Sequence, residues 1–122
     1  MNQERRRFVR FKLDEEVFVT EQKEPSKKLN ARVKDISAMG LSFESDREFE
    51  KGDVLVVEFS VFSEDEPIQL RVEVVWSNEL KEGGKFRTGL KILGIEEGSE
   101  NKFLLYYCNR LMEEYYRRDK EA

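Results

Sequence analysis

Apolar and polar side chains alternate along most of the chain, and this period of two residues predicts β-strands with one buried and one wet face. The clearest case runs from Ile68 to Trp76, where Ile, Leu, Val and Trp alternate with Gln, Arg and Glu. Gly83 and Gly84 then turn the chain into a second alternating segment. Residues 68–93 therefore predict a β-hairpin.

Three further segments are predicted to be strands: Val17–Val19, Leu29–Ile36 and Val54–Phe62. The first and third are rich in β-branched and aromatic residues, which pack well on a pleated surface, and the second alternates Ala31 and Val33 with charged residues. Between the first two segments, residues 20–28 are polar and contain Pro25. This composition predicts an exposed loop, because its side chains cannot bury themselves.

The alternation slips by one residue between Val33 and Ile36, which predicts a bulge or sharp turn near Asp35. It resumes at Leu41, after Gly40. Glycine at this point is expected to let the backbone turn. The slip therefore predicts a local irregularity between two strands.

From Ser99 onward the apolar residues recur every three or four positions, which predicts an amphipathic helix over residues 99–118. Six antiparallel strands followed by this helix predict an all-β dominated fold: a small six-stranded antiparallel β-barrel with a C-terminal α-helix. Closure of the barrel removes exposed sheet edges. We expect one domain over residues 1–122, with a basic arm at 1–12 and the barrel at 13–95.

The net charge of −4 over 122 residues is unevenly distributed. Residues 1–12 carry a local charge of +4, so the remaining chain sums to −8. The acidic balance argues against a general affinity for DNA, RNA or anionic lipid. A small anion is instead expected to bind at the N-terminal arm. Its basic residues are Arg5, Arg6, Arg7, Arg10 and Lys12.

Several classes of protein fit the composition poorly. The chain has no run of about 18 apolar residues and no apolar leader segment, so we expect a cytoplasmic protein without direct membrane insertion. It has no histidine, and its single cysteine, Cys108, lies on the apolar face of the predicted helix. Catalysis, a metal site and an internal disulfide are therefore not expected.

Two short motifs stand out. Arg6 and Arg10 form RxxxR, and Asp35, Ser37 and Gly40 form DxSxxG about 25 residues later. In this order, ahead of a strand pattern and a helix, they resemble the PilZ domain family, and the resemblance covers nearly the whole chain. That family is known for binding the bacterial second messenger cyclic di-GMP. The resemblance implies a ligand site formed by Arg5, Arg6, Arg10, Asp35, Ser37 and Gly40.

The chemistry of these residues suits such a ligand. An arginine fork matches the O6 and N7 acceptors of guanine, and further arginines can pair with phosphate or stack on a base. Asp35 can accept from the guanine N–H groups that arginine cannot satisfy. Within the family, the arm folds over the ligand, and the residue before RxxxR tends to decide the stoichiometry. That residue is Arg5, and by this analogy we predict an intercalated pair of cyclic di-GMP molecules.

Plainer interpretations remain open beside these. The arm can be a solvated basic tail, and Asp35 and Ser37 can simply satisfy a local turn. Arg7 can contact ligand or solvent. Trp76 shares the register of Val72 and Val74, so we predict that it lies in the core, with a place beside the ligand as the alternative. Gly89 can mark either a bend or a close contact.

We therefore expect a non-enzymatic cyclic di-GMP receptor whose arm changes conformation on binding and signals to a partner protein. The alternative is a protein interaction module of the same fold that does not bind nucleotide. The partner is an unidentified effector protein or a second copy of the chain. The aromatic face of the C-terminal helix is a candidate contact surface.

Overall fold

The computed structural model describes residues 10–37, 39–59, 68–81, 83–96 and 113. Six strands account for nearly all of them: β1 (Phe11–Glu21), β2 (Glu24–Ile36), β3 (Gly40–Ser45), β4 (Val54–Phe59), β5 (Ile68–Glu79) and β6 (Phe86–Ile95). They close into a barrel in the order β1-β2-β3-β6-β5-β4, and every neighbouring pair is antiparallel. The predicted six-stranded barrel is confirmed.

The inward-facing side chains of all six strands fill the barrel. Alternation of buried and exposed positions is regular in β4 and in the first half of β5, as the period-2 pattern predicts. Phe49, in the connection between β3 and β4, closes one part of the core by packing edge-on against Phe43. The core residues are Leu13, Val17, Val19, Ala31, Val33, Ile36, Leu41, Phe43, Phe49, Leu55, Val57, Phe59, Ile68, Leu70, Val72, Val74 and Leu90.

Two further predictions are confirmed, the irregularity near Asp35 and the hairpin over residues 68–93. A register shift separates Val33 from Asp35 in the β2–β3 ladder, at the place where the alternation slips. The β5–β6 hairpin forms as predicted, and Gly84 at its turn has a positive φ of 83°. Gly52, in the turn before β4, has a φ of 95°.

The exposed loop predicted for residues 20–28 is wrong. The chain turns at Gln22 and Lys23 only, and β2 already begins at Glu24. The side chains of residues 22–28 are exposed as expected, whereas Glu21 is buried. The backbone pairs with β1 in a hairpin. Pro25, which lacks an N–H donor, falls in a register shift, where no ladder hydrogen bond is required of it.

Parts of three predicted elements lie outside the described residues. These are most of the arm, the end of the strand predicted over Val54–Phe62, and the C-terminal helix apart from Glu113, which is helical and exposed. No helix among the described residues is long and apolar enough to cross a membrane.

Candidate functional site

Four of the predicted site residues lie together on the outer face of the barrel. A cavity of about 300 Å³ is lined by Arg10, Asp35, Trp76 and Gly89. These residues are up to 79 positions apart in sequence, and the barrel brings them together by pairing β2, β3, β6 and β5 side by side. The remaining lining residues are Leu41, Ser42, Val75, Arg87 and Leu90.

Strand register explains why these side chains meet. Asp35 pairs with Ser42, Ser42 pairs with Gly89, and Gly89 pairs with Trp76. The four residues therefore form one row that crosses four strands at right angles to their direction. A carboxylate lies at one end of this row and an indole at the other, with two small residues between them.

The carboxylate of Asp35 is held from two sides. Arg10, just before β1, forms an ion pair with Oδ1 of Asp35. Ser42 donates its hydroxyl to Oδ2 of the same side chain, with 2.9 Å between the oxygens. Both a cation and a neutral donor thus fix the orientation of the acceptor.

The prediction that Trp76 lies in the core is wrong, because 42% of its surface is exposed. A register shift between Val74 and Trp76 adds one residue to β5 and reverses the facing of the residues that follow. Val75 and Trp76 both face outward as a result, and Ser77 takes the inward position. The indole therefore faces the cavity in place of the core.

Gly89 makes the close contact that was one of its two interpretations. A Cβ atom at this position would lie 2.3 Å from Cε2 and 2.4 Å from Nε1 of Trp76. The indole ring therefore rests directly on the backbone of β6. Any larger residue here would displace it.

The DxSxxG turn is built by its own hydrogen bonds. The hydroxyl of Ser37 accepts from the backbone N–H groups of Met39 at 3.2 Å and Gly40 at 3.3 Å. Ser37 is buried and is not among the residues that line the cavity. The turn interpretation of Ser37 is therefore confirmed, and a direct contact between this side chain and a ligand stays a prediction.

Gly40 is required for a reason other than the expected one. It does not have a positive φ, and it is the first residue of β3. A Cβ atom there would lie 2.5 Å from the carbonyl oxygen of Leu90. Glycine is needed because β3 and β6 approach closely, and not because the turn demands its conformational freedom.

Ser42 and Arg87 also line the cavity and were not among the predicted site residues. Arg87 lies two residues before Gly89 on the same face and forms an ion pair with Glu44, whose Oε2 is 3.0 Å from Nη2. The spacing of Arg87 from Gly89 was a usable signal, whereas Ser42 could be found only from the pairing of β2 with β3. Arg5, Arg6 and Arg7 lie outside the described residues.

Chemistry, and not size, distinguishes this cavity. A larger one of about 390 Å³ lies beside the β1–β2 turn. Its cations Lys27, Lys28 and Arg47 pair with carboxylates, as Arg10 does, but no aromatic ring among the described residues lines it. Among the described residues there is no cluster of three or more groups that could hold a metal ion.

Comparisons with known proteins bear on the family and the fold of the chain. A family model described as PilZ domain matches residues 4–108. The PilZ domain of YcgR from Escherichia coli, solved with c-di-GMP, has a TM-score of 0.67 at 14% identity, and the match covers 95% of this chain and 98% of that one. The Bacillus subtilis inhibitor of motility (MotI/DgrA) has a TM-score of 0.64 at 17% identity, with 88% of this chain covered.

The match covers 51% of the B. subtilis protein, so the present chain spans about half its length. No curated protein matches the chain by sequence. At identities this low, the likeness to the two solved structures establishes the fold alone.

Proposed function

The chain belongs to the PilZ domain family, a family of cyclic di-GMP receptors, and we propose that it is itself a non-enzymatic receptor for this second messenger. Binding would change the conformation of the N-terminal arm and so alter a surface that a partner protein recognises. A cytoplasmic location is part of this proposal, because the ligand is a bacterial second messenger.

The observation that carries the proposal is the row from Asp35 to Trp76 beside Arg10. It places a carboxylate, a guanidinium and an exposed aromatic ring around one shallow cavity. Guanine needs these three partners: donors for O6 and N7, an acceptor for its N–H groups, and a flat surface for its ring.

The roles of the individual residues follow from their positions. Arg5, Arg6 and Arg10 supply charge for the phosphates and forks for the guanines, and Arg7 is an additional candidate. Asp35 reads the guanine N–H edge, and Trp76, seated on Gly89, supplies the stacking surface. Ser37 and Gly40 hold the turn that presents Asp35.

Arg5 precedes RxxxR, and we propose on this ground that the site holds an intercalated pair of cyclic di-GMP molecules. The partner is an effector protein or a second copy of this chain, with the predicted C-terminal helix as a candidate surface. A protein partner suits the likeness to the B. subtilis protein, which is named as an inhibitor of motility.

Calorimetric titration of cyclic di-GMP into the protein and its Arg10→Ala variant tests the proposal. Arg10→Ala should weaken binding by about 2 kcal/mol or more, roughly thirty-fold, because a charged partner of the ligand is removed. The thermal midpoint of the empty variant should stay nearly unchanged, since exposed ion pairs contribute at most about 1 kcal/mol. Wild type should bind two ligand molecules per chain.

Arg32→Ala is the matched control. Arg32 is 49% exposed, against 52% for Arg10, and it also pairs with an aspartate, but it does not line the cavity. Equal affinity of wild type and Arg10→Ala would refute the site, and one ligand per chain would refute the intercalated pair. A wild-type protein that binds no cyclic di-GMP would refute the receptor role and leave the interaction module.

A further inference from the structure

We propose that Ser42 is a positioning residue, whose hydroxyl holds the Asp35 carboxylate in the orientation that reads guanine. This inference rests on the proposed function above and adds a residue that neither motif contains. Ser42 lies on β3, between Asp35 and Gly89 in the row.

The geometry leaves the Ser42 hydroxyl one clear role. Its oxygen is 2.9 Å from Oδ2 of Asp35, and only 3% of the residue is exposed. A buried hydroxyl without an acceptor is costly, so the hydrogen bond to the carboxylate persists. The register shift after Val33 brings Asp35 directly opposite Ser42, and the barrel therefore fixes this pair rigidly.

Arg10 cannot serve the same purpose throughout binding. It engages the other carboxylate oxygen and lies just before β1, where the arm joins the barrel. When Arg10 turns to the ligand, it releases Oδ1 for a guanine N–H group. Ser42 remains in place because its backbone is paired on both sides, with β2 and β6.

The retained hydrogen bond still leaves the carboxylate free to accept from the ligand. Each carboxylate oxygen has two lone pairs, so Oδ2 can accept from Ser42 and from guanine together. The N1–H and N2–H groups of guanine require both oxygens in one plane. A single N–H group could follow a rotated carboxylate, whereas this bidentate pair could not.

The test compares cyclic di-GMP with cyclic di-inosine monophosphate, which lacks the N2 amino group, in wild type and in Ser42→Ala. We expect Ser42→Ala to weaken cyclic di-GMP binding roughly ten-fold, the usual effect of one hydrogen bond to a charged group. The affinity for the inosine analogue should fall by no more than roughly three-fold in Ser42→Ala, since this ligand offers only one N–H group to the carboxylate. The ratio of the two affinities, which measures the preference for guanine, should therefore be smaller in Ser42→Ala than in wild type. It should also be smaller in Asp35→Ala.

Ser45→Ala is the matched control. Ser45 is a second buried serine of β3, and its hydroxyl donates to the backbone carbonyl of Arg47 at 2.9 Å, away from the cavity. Its removal should lower the thermal midpoint without changing either affinity.

Three outcomes would overturn the inference about Ser42. Equal losses for both ligands in Ser42→Ala would mean a general structural role and overturn the inference, as would unchanged affinities. A wild-type protein that binds both ligands equally would also overturn it, because Asp35 would then not read the N2 edge. Failure of the receptor proposal is distinct, since wild type would then bind neither ligand.

Discussion

Substitution of Gly89 by alanine is the sharpest structural test of the site. The new Cβ atom would lie within 2.6 Å of three atoms of the Trp76 indole, a separation that carbon atoms do not tolerate. The backbone of β6 is paired on both sides with β3 and β5 and cannot yield easily. The indole must therefore swing away into solvent.

The cost of this movement follows from the surface of the ring. A tryptophan presents about 250 Å², and 42% of Trp76 is already exposed, so about 140 Å² is buried. If the rotation exposes half of that area, Gly89→Ala loses about 2 kcal/mol of unfolding free energy. For a domain of this size the thermal midpoint should fall by on the order of 5–10 °C.

Trp76 is the only tryptophan, so its fluorescence reports the movement directly. Emission of Gly89→Ala should shift to longer wavelength, and the affinity for cyclic di-GMP should fall because the stacking surface is lost. In a Trp76→Ala background, Gly89→Ala should cost almost nothing, since the clash has been removed. Additive losses in the double variant would contradict this reasoning.

Gly94→Ala provides the control on the same strand. Its Cβ atom would lie 3.3 Å from the end of the Arg71 side chain, which can move aside. Emission and midpoint should stay close to those of wild type. Wild-type emission and midpoint in Gly89→Ala itself would show that the indole does not rest on β6.

Two further predictions concern ion pairs outside the site. Arg47→Ala leaves the buried Glu21 carboxylate without its cation and should lower the unfolding free energy by about 2 kcal/mol or more, measured by denaturant titration; adding Glu21→Gln should restore part of it. Hydrogen bonds from Arg32 and then Lys34 lower the pKa of Asp14 below its ordinary 3.8. Asp14 therefore stabilises the fold above pH 3.8 and loses this effect as the pH falls through the folded pKa. Asp14→Asn should lower the thermal midpoint at pH 7, and its midpoint should converge with that of wild type once the pH is below the folded pKa.

The barrel could be predicted from the sequence because one face of most strands is buried and the other is wet. That alternation is clear in β4 and in the first half of β5. The β1–β2 hairpin was missed because the first five residues of β2 are exposed on both faces, and pattern alone cannot distinguish such a polar strand from a loop. Backbone pairing, which leaves no trace in side-chain polarity, decides the structure there.

The outward facing of Trp76 could not be predicted from its own strand. Val74, Val75 and Trp76 are three apolar residues in succession. The local pattern therefore fits a strand that buries Trp76 as well as one that exposes it. The choice depends on Ser77, whose hydroxyl lies 3.0 Å from Thr88 Oγ1 inside the barrel and accepts from the backbone N–H of Phe49. These partners are distant in sequence, and a period-2 analysis cannot include them.

The two ends of the row owe their positions to two irregularities. Without the register shift in β2, alternation would turn Asp35 inward, and without the one in β5 it would do the same to Trp76. The residues between them, Ser42 and Gly89, are small and lie on β3 and β6, which pair without a register shift. Three strand spacings separate the ends by about 14 Å, which leaves room for stacked bases between carboxylate and indole. The site therefore depends on two register shifts, one in β2 and one in β5. The DxSxxG motif marks only the shift in β2.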